Sequence, residues 1–196
     1  EVYSGSMISR IIAKLIYMLQ KRLKPEMIGG FPYSKSKDVR ISNHTHISYP
    51  KNLTVGEQVF IAHFSYIDCL QPITLGRNVY IGSYVSILTH SAHNSVRLHG
   101  KHYLNDAPDL VALQTGPVTI GDYCSIGPYT IIMPGTTLGK GTMVTANSYV
   151  NPGVYPDFAI LKGNPAKIVG NTRDYDELLL ERNPEMRSKY YLNDYD

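Results

Sequence analysis

Residues 118–150 read VTIGDYCSIGPYTIIMPGTTLGKGTMVTANSYV. Within them Ile120, Ile126, Ile132, Leu138, Val144 and Val150 stand six residues apart without a slip. Two places before each stand Val118, Cys124, Thr130, Thr136, Thr142 and Ser148, all small or β-branched. A period of six fits neither a helix of 3.6 residues per turn nor a hairpin protein. It fits a solenoid of very short parallel strands with a turn every six residues. The aliphatic points inward, and the small residue two before it shares that face because side chains alternate along a strand. Gly121, Gly127 and Gly139 follow three of the aliphatics, where a corner needs unusual backbone angles or close approach.

Working outward, Leu75, Ile81 and Ile87 repeat the spacing, and so do Val55, Ile61 and Ile67, with Ile41 and Ile47 beginning the series. Three hexads make one triangular coil. The expected architecture is an all-β solenoid, a parallel β-helix over residues 39–170, with full coils at 55–61–67, 75–81–87, 120–126–132 and 138–144–150. The steps from 47 to 55 and from 67 to 75 are too long by two, so those corners should bulge. A β-sandwich with accidental spacing does not account for six consecutive hexads.

The repeat breaks after Ile87 and resumes at Val118, leaving an insertion over residues 88–117. Long loops in compact domains are usually functional or disordered. This one holds His90, His93, His99 and His102, four of the seven histidines in the chain. Such a cluster suits either metal binding or general-base chemistry. No acidic or cysteine partner stands at ligand spacing in the loop, which favours the base and leaves no metal expected.

Composition sets outer limits. The chain has 196 residues, 43% hydrophobic and 18% charged, with formal charge +3 and no Trp. That is one domain's length with too much apolar content for disorder. Cys69 and Cys124 are too few for a disulfide scaffold, and a reducing cytoplasm is the simplest setting. No apolar run approaches a membrane span, and the small net charge gives no argument for nucleic acid. The ends differ in kind from the middle. Residues 1–6, EVYSGS, read as an expression leftover outside the fold. Residues 7–38 hold an amphipathic helix, with Ile8, Ile11, Ile12, Leu15, Leu19 and Leu23 on one face and basic residues on another, followed by a linker. It reads as a cap on the first coil, and secondly as a weak contact with the inner membrane surface. Residues 171–196 are acidic on balance and start with a short helix near Tyr175–Leu180, followed by a tail.

Ile120-Gly121-Asp122, Ile126-Gly127-Pro128, Met133-Pro134-Gly135-Thr136-Thr137-Leu138-Gly139 and the exit motif Lys162-Gly163-Asn164-Pro165-Ala166-Lys167-Ile168-Val169 resemble the left-handed β-helix, hexapeptide-repeat acyltransferases. The likeness is greatest to sugar and capsular polysaccharide O-acetyltransferases. It implies left-handed coils, a homotrimer, acetyl-CoA as donor and a sugar or polysaccharide hydroxyl as acceptor. It implies a histidine base at the start of the insertion, His93 first and His90 second. It implies acceptor contacts from His63, Asp68 and Arg97, with Asp68 either binding a sugar hydroxyl or orienting His93. Donor contacts fall on Gly127, Pro128, Tyr129, Thr145, Ala146, Lys162 and Lys167. Pro128 has no N–H where the family often offers one to the thioester oxygen, so another amide, such as that of Tyr129, would take that part. The rival readings are N-acetylation of an amino sugar or antibiotic, a non-catalytic β-helix scaffold or binding module, and a zinc-dependent hydrolase needing three converging histidines.

Overall fold

The structure is a computed structural model, and it describes Leu15 and residues 38–195 apart from 43 and 108. The helix expected over residues 8–24 and its membrane reading lie outside the described residues, Leu15 excepted.

Three sheets form the faces of the solenoid. Face A stacks β1 (Arg40–Ile41), β4 (Phe60–Ile61), β7 (Tyr80–Ile81), β12 (Ser125–Ile126), β15 (Met143–Val144) and β18 (Ala159–Gly163), all parallel. Face B stacks β2 (His46–Ser48), β5 (Tyr66–Asp68), β8 (Ser86–Ile87), β13 (Ile131–Ile132) and β16 (Tyr149–Val150). Face C stacks β3 (Leu53–Val55), β6 (Ile73–Leu75), β11 (Val118–Ile120), β14 (Thr136–Leu138) and β17 (Gly153–Tyr155). Register holds the repeat aliphatics in columns. Ile41, Ile61, Ile81, Ile126, Val144 and Leu161 pair in succession on face A, and Ile47, Ile67, Ile87, Ile132 and Val150 on face B.

The core is what the period dictates. Ile61, Ile67, Ile81, Ile87, Ile120, Ile126 and Ile132 are completely buried. The small residues two places earlier, from Val118 and Cys124 through Thr130, Thr136 and Thr142 to Ser148, are buried beside them. Each such isoleucine contributes about 1.5–3 kcal/mol by leaving water. The buried threonines bond to backbone carbonyls of the next coil, Thr130 to Thr145 and Thr142 to Pro156, so their hydroxyls cost little in the core.

Coil spacing explains Gly121, Gly127 and Gly139 by close approach alone. A Cβ on Gly127 would stand 2.4 Å from the Ala146 nitrogen, and one on Gly121 would stand 2.7 Å from that of Lys140. The left-handed backbone position falls two residues later, on Phe64, Tyr84, Tyr129 and Asn147 at the corner between faces A and B. At that corner the rings of Phe64, Tyr84 and Tyr129 stack in one column. A 3-10 turn at Pro50–Asn52 fills the first of the two long steps, and the chain bends at Leu70 and Gln71 in the second.

The solenoid continues over two more faces beyond Val150. β17 and β18 add Tyr155 and Leu161 to the columns on faces C and A. The chain then reverses in β19 (Ala166–Asn171), antiparallel to β18. The insertion is also more ordered than a plain loop. β9 (His90–Ser91) pairs antiparallel with β10 (Gln114–Thr115), and α1 (Ser95–His99) lies between them in sequence. The C-terminal helix α2 runs Thr172–Arg182, longer at both ends than Tyr175–Leu180, with the Asn171 side chain capping it through the Arg173 N–H.

Candidate active site

The insertion leaves the corner between faces B and C, and the previous coil places β5 directly beneath β8 there. Asp68 ends β5 and is buried, with 1% of its surface exposed. A buried carboxylate needs hydrogen bonds or a counter-charge. Its Oδ2 receives the Thr89 N–H and hydroxyl region at 3.3 Å and lies 2.5 Å from His90 Nδ1. Thr89 is itself buried, and its hydroxyl donates to the Asp68 carbonyl at 2.7 Å while accepting the Gln71 N–H at 2.9 Å. The β9–β10 ribbon fixes the backbone of His90, and the Gly116 N–H to Thr89 carbonyl bond closes the ribbon's base. The imidazole side chain keeps 37% of its surface exposed. One edge of the ring is therefore held by a buried acid and the other is offered to solvent.

His93 has different company. It is exposed, and its Nδ1 meets the Ser91 hydroxyl at 2.8 Å. Asp68 thus reaches His90, and the orientation of His93 by Asp68 that the sequence suggested is not what the geometry makes. Arg97 turns back on its own loop, donating to the His93 carbonyl and the Asn94 side chain. His99 pairs with Asp106 at 2.5 Å through Nδ1 and accepts the Val111 N–H through Nε2 at 3.0 Å, which ties α1 to the return segment. His90, His93 and His99 are thus tied to separate partners, and among the described residues no group of three or more His, Cys, Asp or Glu is arranged to hold a metal. Cys69 is fully buried, and burial with the neighbouring Asp68 charge pushes its thiol up to about 12.

The remaining candidates gather at the corner between faces A and B. Register stacks Gly127 under Thr145 and Thr145 under Lys162, and Lys162 sits opposite Lys167 in the β18–β19 pair. Two exposed lysines beside a backbone-lined column suit an anionic, extended ligand. Pro128, Tyr129 and Ala146 lie on the same corner and are exposed. The Tyr129 amide, the stand-in suggested for Pro128, already donates to the Ser83 carbonyl at 3.0 Å. His63 is on this corner too, with Nδ1 2.6 Å from the Ser42 hydroxyl, and so is separated from Asp68 by the width of face B. At about 3.3 Å per residue, the six-residue step between equivalent corners spans up to roughly 20 Å. Within the chain, the His90 corner and the Gly127–Lys162 corner are different edges of the prism.

The family profile described as "Bacterial transferase hexapeptide (six repeats)" matches residues 117–152. The Escherichia coli K12 protein called putative lipopolysaccharide biosynthesis O-acetyl transferase WbbJ is 32% identical over 123 residues, which is 63% of this chain and 59% of that one. The galactoside O-acetyltransferase of the same organism is 28% identical over 153 residues, 76% of this chain and 64% of its own length. This chain therefore spans less than two thirds of the length of these two relatives. Among solved structures, the hexapeptide-repeat acetyltransferase VCA0836 of Vibrio cholerae, complexed with acetyl coenzyme A, superposes with a TM-score of 0.58 at 26% identity. The match covers 79% of this chain and 75% of that one. The unbroken hexad register, the three parallel faces and these likenesses agree on one fold: a parallel β-helix of hexapeptide repeats, similar to the hexapeptide-repeat acetyltransferases.

Proposed function

We propose that the chain transfers an acetyl group from acetyl-CoA to a sugar or polysaccharide hydroxyl, with His90 as general base and Asp68 as the residue that positions it. The observation that carries this reading is the Asp68–His90 pair. The buried carboxylate accepts the Nδ1 proton at 2.5 Å, which leaves the Nε2 lone pair facing outward. Nε2 takes the acceptor hydroxyl proton as that oxygen attacks the thioester carbonyl. The C–O bond forms, the tetrahedral oxyanion collapses, the C–S bond breaks, and the imidazolium returns its proton to the departing thiolate. Asp68 compensates the positive charge on the ring throughout, in the manner of the acid in a Ser-His-Asp triad. The high thiol of Cys69 argues against an acyl-cysteine intermediate and favours direct transfer. The names of the relatives favour a saccharide acceptor and an acetyl donor.

Acetyl-CoA fits the corner of Gly127 and Thr145, with Lys162 and Lys167 at its phosphates. That corner and His90 are on different edges of the prism, which favours a site completed between copies, as a homotrimer would do. The protein has no helix among the described residues long and apolar enough to cross a membrane.

His90→Ala and His93→Ala are compared by release of free CoA thiol with a panel of mono- and oligosaccharides. A base typically contributes about 10²–10⁴ in rate, so His90→Ala should lose that factor and His93→Ala should stay within about tenfold. The reverse order returns the base to His93. Mixing His90→Ala with a Lys162→Ala/Lys167→Ala variant should restore part of the activity if the two corners meet across subunits.

A further inference from the structure

The outward side chains of face A form a ladder. Register places Phe60, Tyr80, Ser125 and Met143 in successive coils. The rings of Phe60 and Tyr80 stack nearly parallel, 5.6 Å apart at 6°. At the next rung the ladder loses its ring, because Ser125 stands there. Parallel strands are about 4.8 Å apart, so Tyr80 and Met143 are roughly 10 Å apart with only a hydroxymethyl group between them. One face of the Tyr80 ring rests on Phe60, and the opposite face looks along the ladder into this gap. Helix α2 and the tail wall the gap with Tyr175, Asp176 and Tyr191, and the cavity measures about 250 Å³.

Among the described residues that line this cavity, Asp176 is the one that carries a formal charge. Asp176 accepts the Tyr190 hydroxyl at 2.9 Å. Burial pushes its carboxyl up from the ordinary value, and the Tyr190 bond offsets that only in part. The Tyr191 hydroxyl is buried near those of Tyr190 and Thr172 but makes no hydrogen bond of good geometry among the described residues, while its ring packs against Tyr123 and Tyr190. No Lys or Arg lines the cavity among the described residues. Of the neighbouring cations, the Arg173 guanidinium lies 3.9 Å from the centre of the Phe158 ring, from where its charge still reaches Tyr191, and the Lys140 ammonium is 5.5 Å from the same ring.

We propose that the Ser125 slot binds a planar cation, the guanidinium group of a small molecule, stacked on Tyr80 and bonded to Asp176. Each wall selects one property of that group. The ring face and the one-rung gap admit a thin, flat group, and the face of a tyrosine attracts a cation. The carboxylate matches the guanidinium fork and repels anions. The Tyr191 oxygen takes a further N–H. An ammonium supplies charge without the flat face, and a neutral urea supplies the flat N–H fork without the charge. The slot is remote from the Asp68–His90 pair, and the acyl transfer proposed above makes no use of it.

The probe is n-butylguanidinium, with n-butylammonium and n-butylurea as matched controls. Binding to the full chain is followed by tyrosine emission, which no Trp obscures. The guanidinium should saturate, the ammonium should bind at least about fivefold more weakly, and the urea should not saturate. Asp176→Asn should weaken guanidinium binding at least about tenfold. Ser125→Phe should abolish it by supplying the missing ring of the ladder, with the melting temperature kept. The proposal is overturned if n-butylurea binds as well as the guanidinium, if Asp176→Asn binds it undiminished, or if no saturation occurs below about 50 mM. Should Ser125→Phe fail to fold, Asp176→Asn and the ligand series still decide the matter.

Discussion

Asp68→Asn separates the placing of a histidine from its mere presence. The substitution keeps the shape of a side chain that is 99% enclosed and removes one negative charge from beneath His90. Asp68 Oδ2 serves both the Thr89 N–H at 3.3 Å and the His90 ring at 2.5 Å. An asparagine can point only one of its two ends there. With its oxygen inward, the His90 bond survives without charge. With its NH2 inward, Nδ1 must accept, the ring proton moves to Nε2, and the base has no lone pair for the acceptor hydroxyl. The first arrangement gives up the charge compensation of the imidazolium, and the second gives up the tautomer. The same exchange in a fully enclosed Ser-His-Asp triad costs about 10⁴ in turnover. Solvent reaches 37% of the His90 side chain and softens the loss here. The expected fall in kcat is about 10²–10³, or about 3–4 kcal/mol at 1.36 kcal/mol per decade. KM for acetyl-CoA should change little, because Asp68 does not touch the donor corner. The assay is thiol release at saturating acetyl-CoA, with the melting temperature recorded in parallel. A kcat within about threefold of the parent, in a folded variant, would refute the role given to Asp68.

Three further outcomes follow from the same geometry. Lys162→Ala/Lys167→Ala should raise KM for acetyl-CoA several-fold, with a smaller effect on kcat and a weaker dependence of KM on salt, measured by initial rates over a salt series. Gly127→Val should lower the melting temperature markedly or prevent folding, because its Cβ would meet the Ala146 nitrogen at 2.4 Å, whereas the same change at exposed Gly100 meets nothing within 4 Å and is strained only by its backbone angle. Cys69→Ala should keep activity within about threefold, since its thiol, pushed up to about 12, holds almost no thiolate near neutrality; folded protein should also resist thiol reagents at Cys69.

The coil positions from 41 to 150 were legible because one inward side chain per hexad is a demand the backbone makes at every turn, and Ile126 or Val144 could satisfy it in only one register. The last coil was not, because Val150 to Tyr155 is a step of five and an aromatic replaces the aliphatic. The two histidines were told apart by something a spacing does not carry. Asp68 is twenty-two residues from His90, and the contact depends on coils stacking and on the antiparallel β9–β10 ribbon turning that one ring inward. His63 shows the same limit. Hexad counting places it after Ile61 and His90 after Ile87, on different corners, but its contact with the Ser42 hydroxyl, twenty-one residues away, depends on the coils stacking.

The reversal of β19 bears on how the prism ends. A stack of parallel coils is a template for another coil, and a second molecule offering the same polarity could extend it without limit. On face A the last parallel strand is β18, and its outer edge is already taken by a strand running the opposite way. A newcomer would meet β19 out of phase with the hexad period, with Lys167 and the capped start of α2 beside it. The exit segment thus terminates growth along the face A edge of the stack.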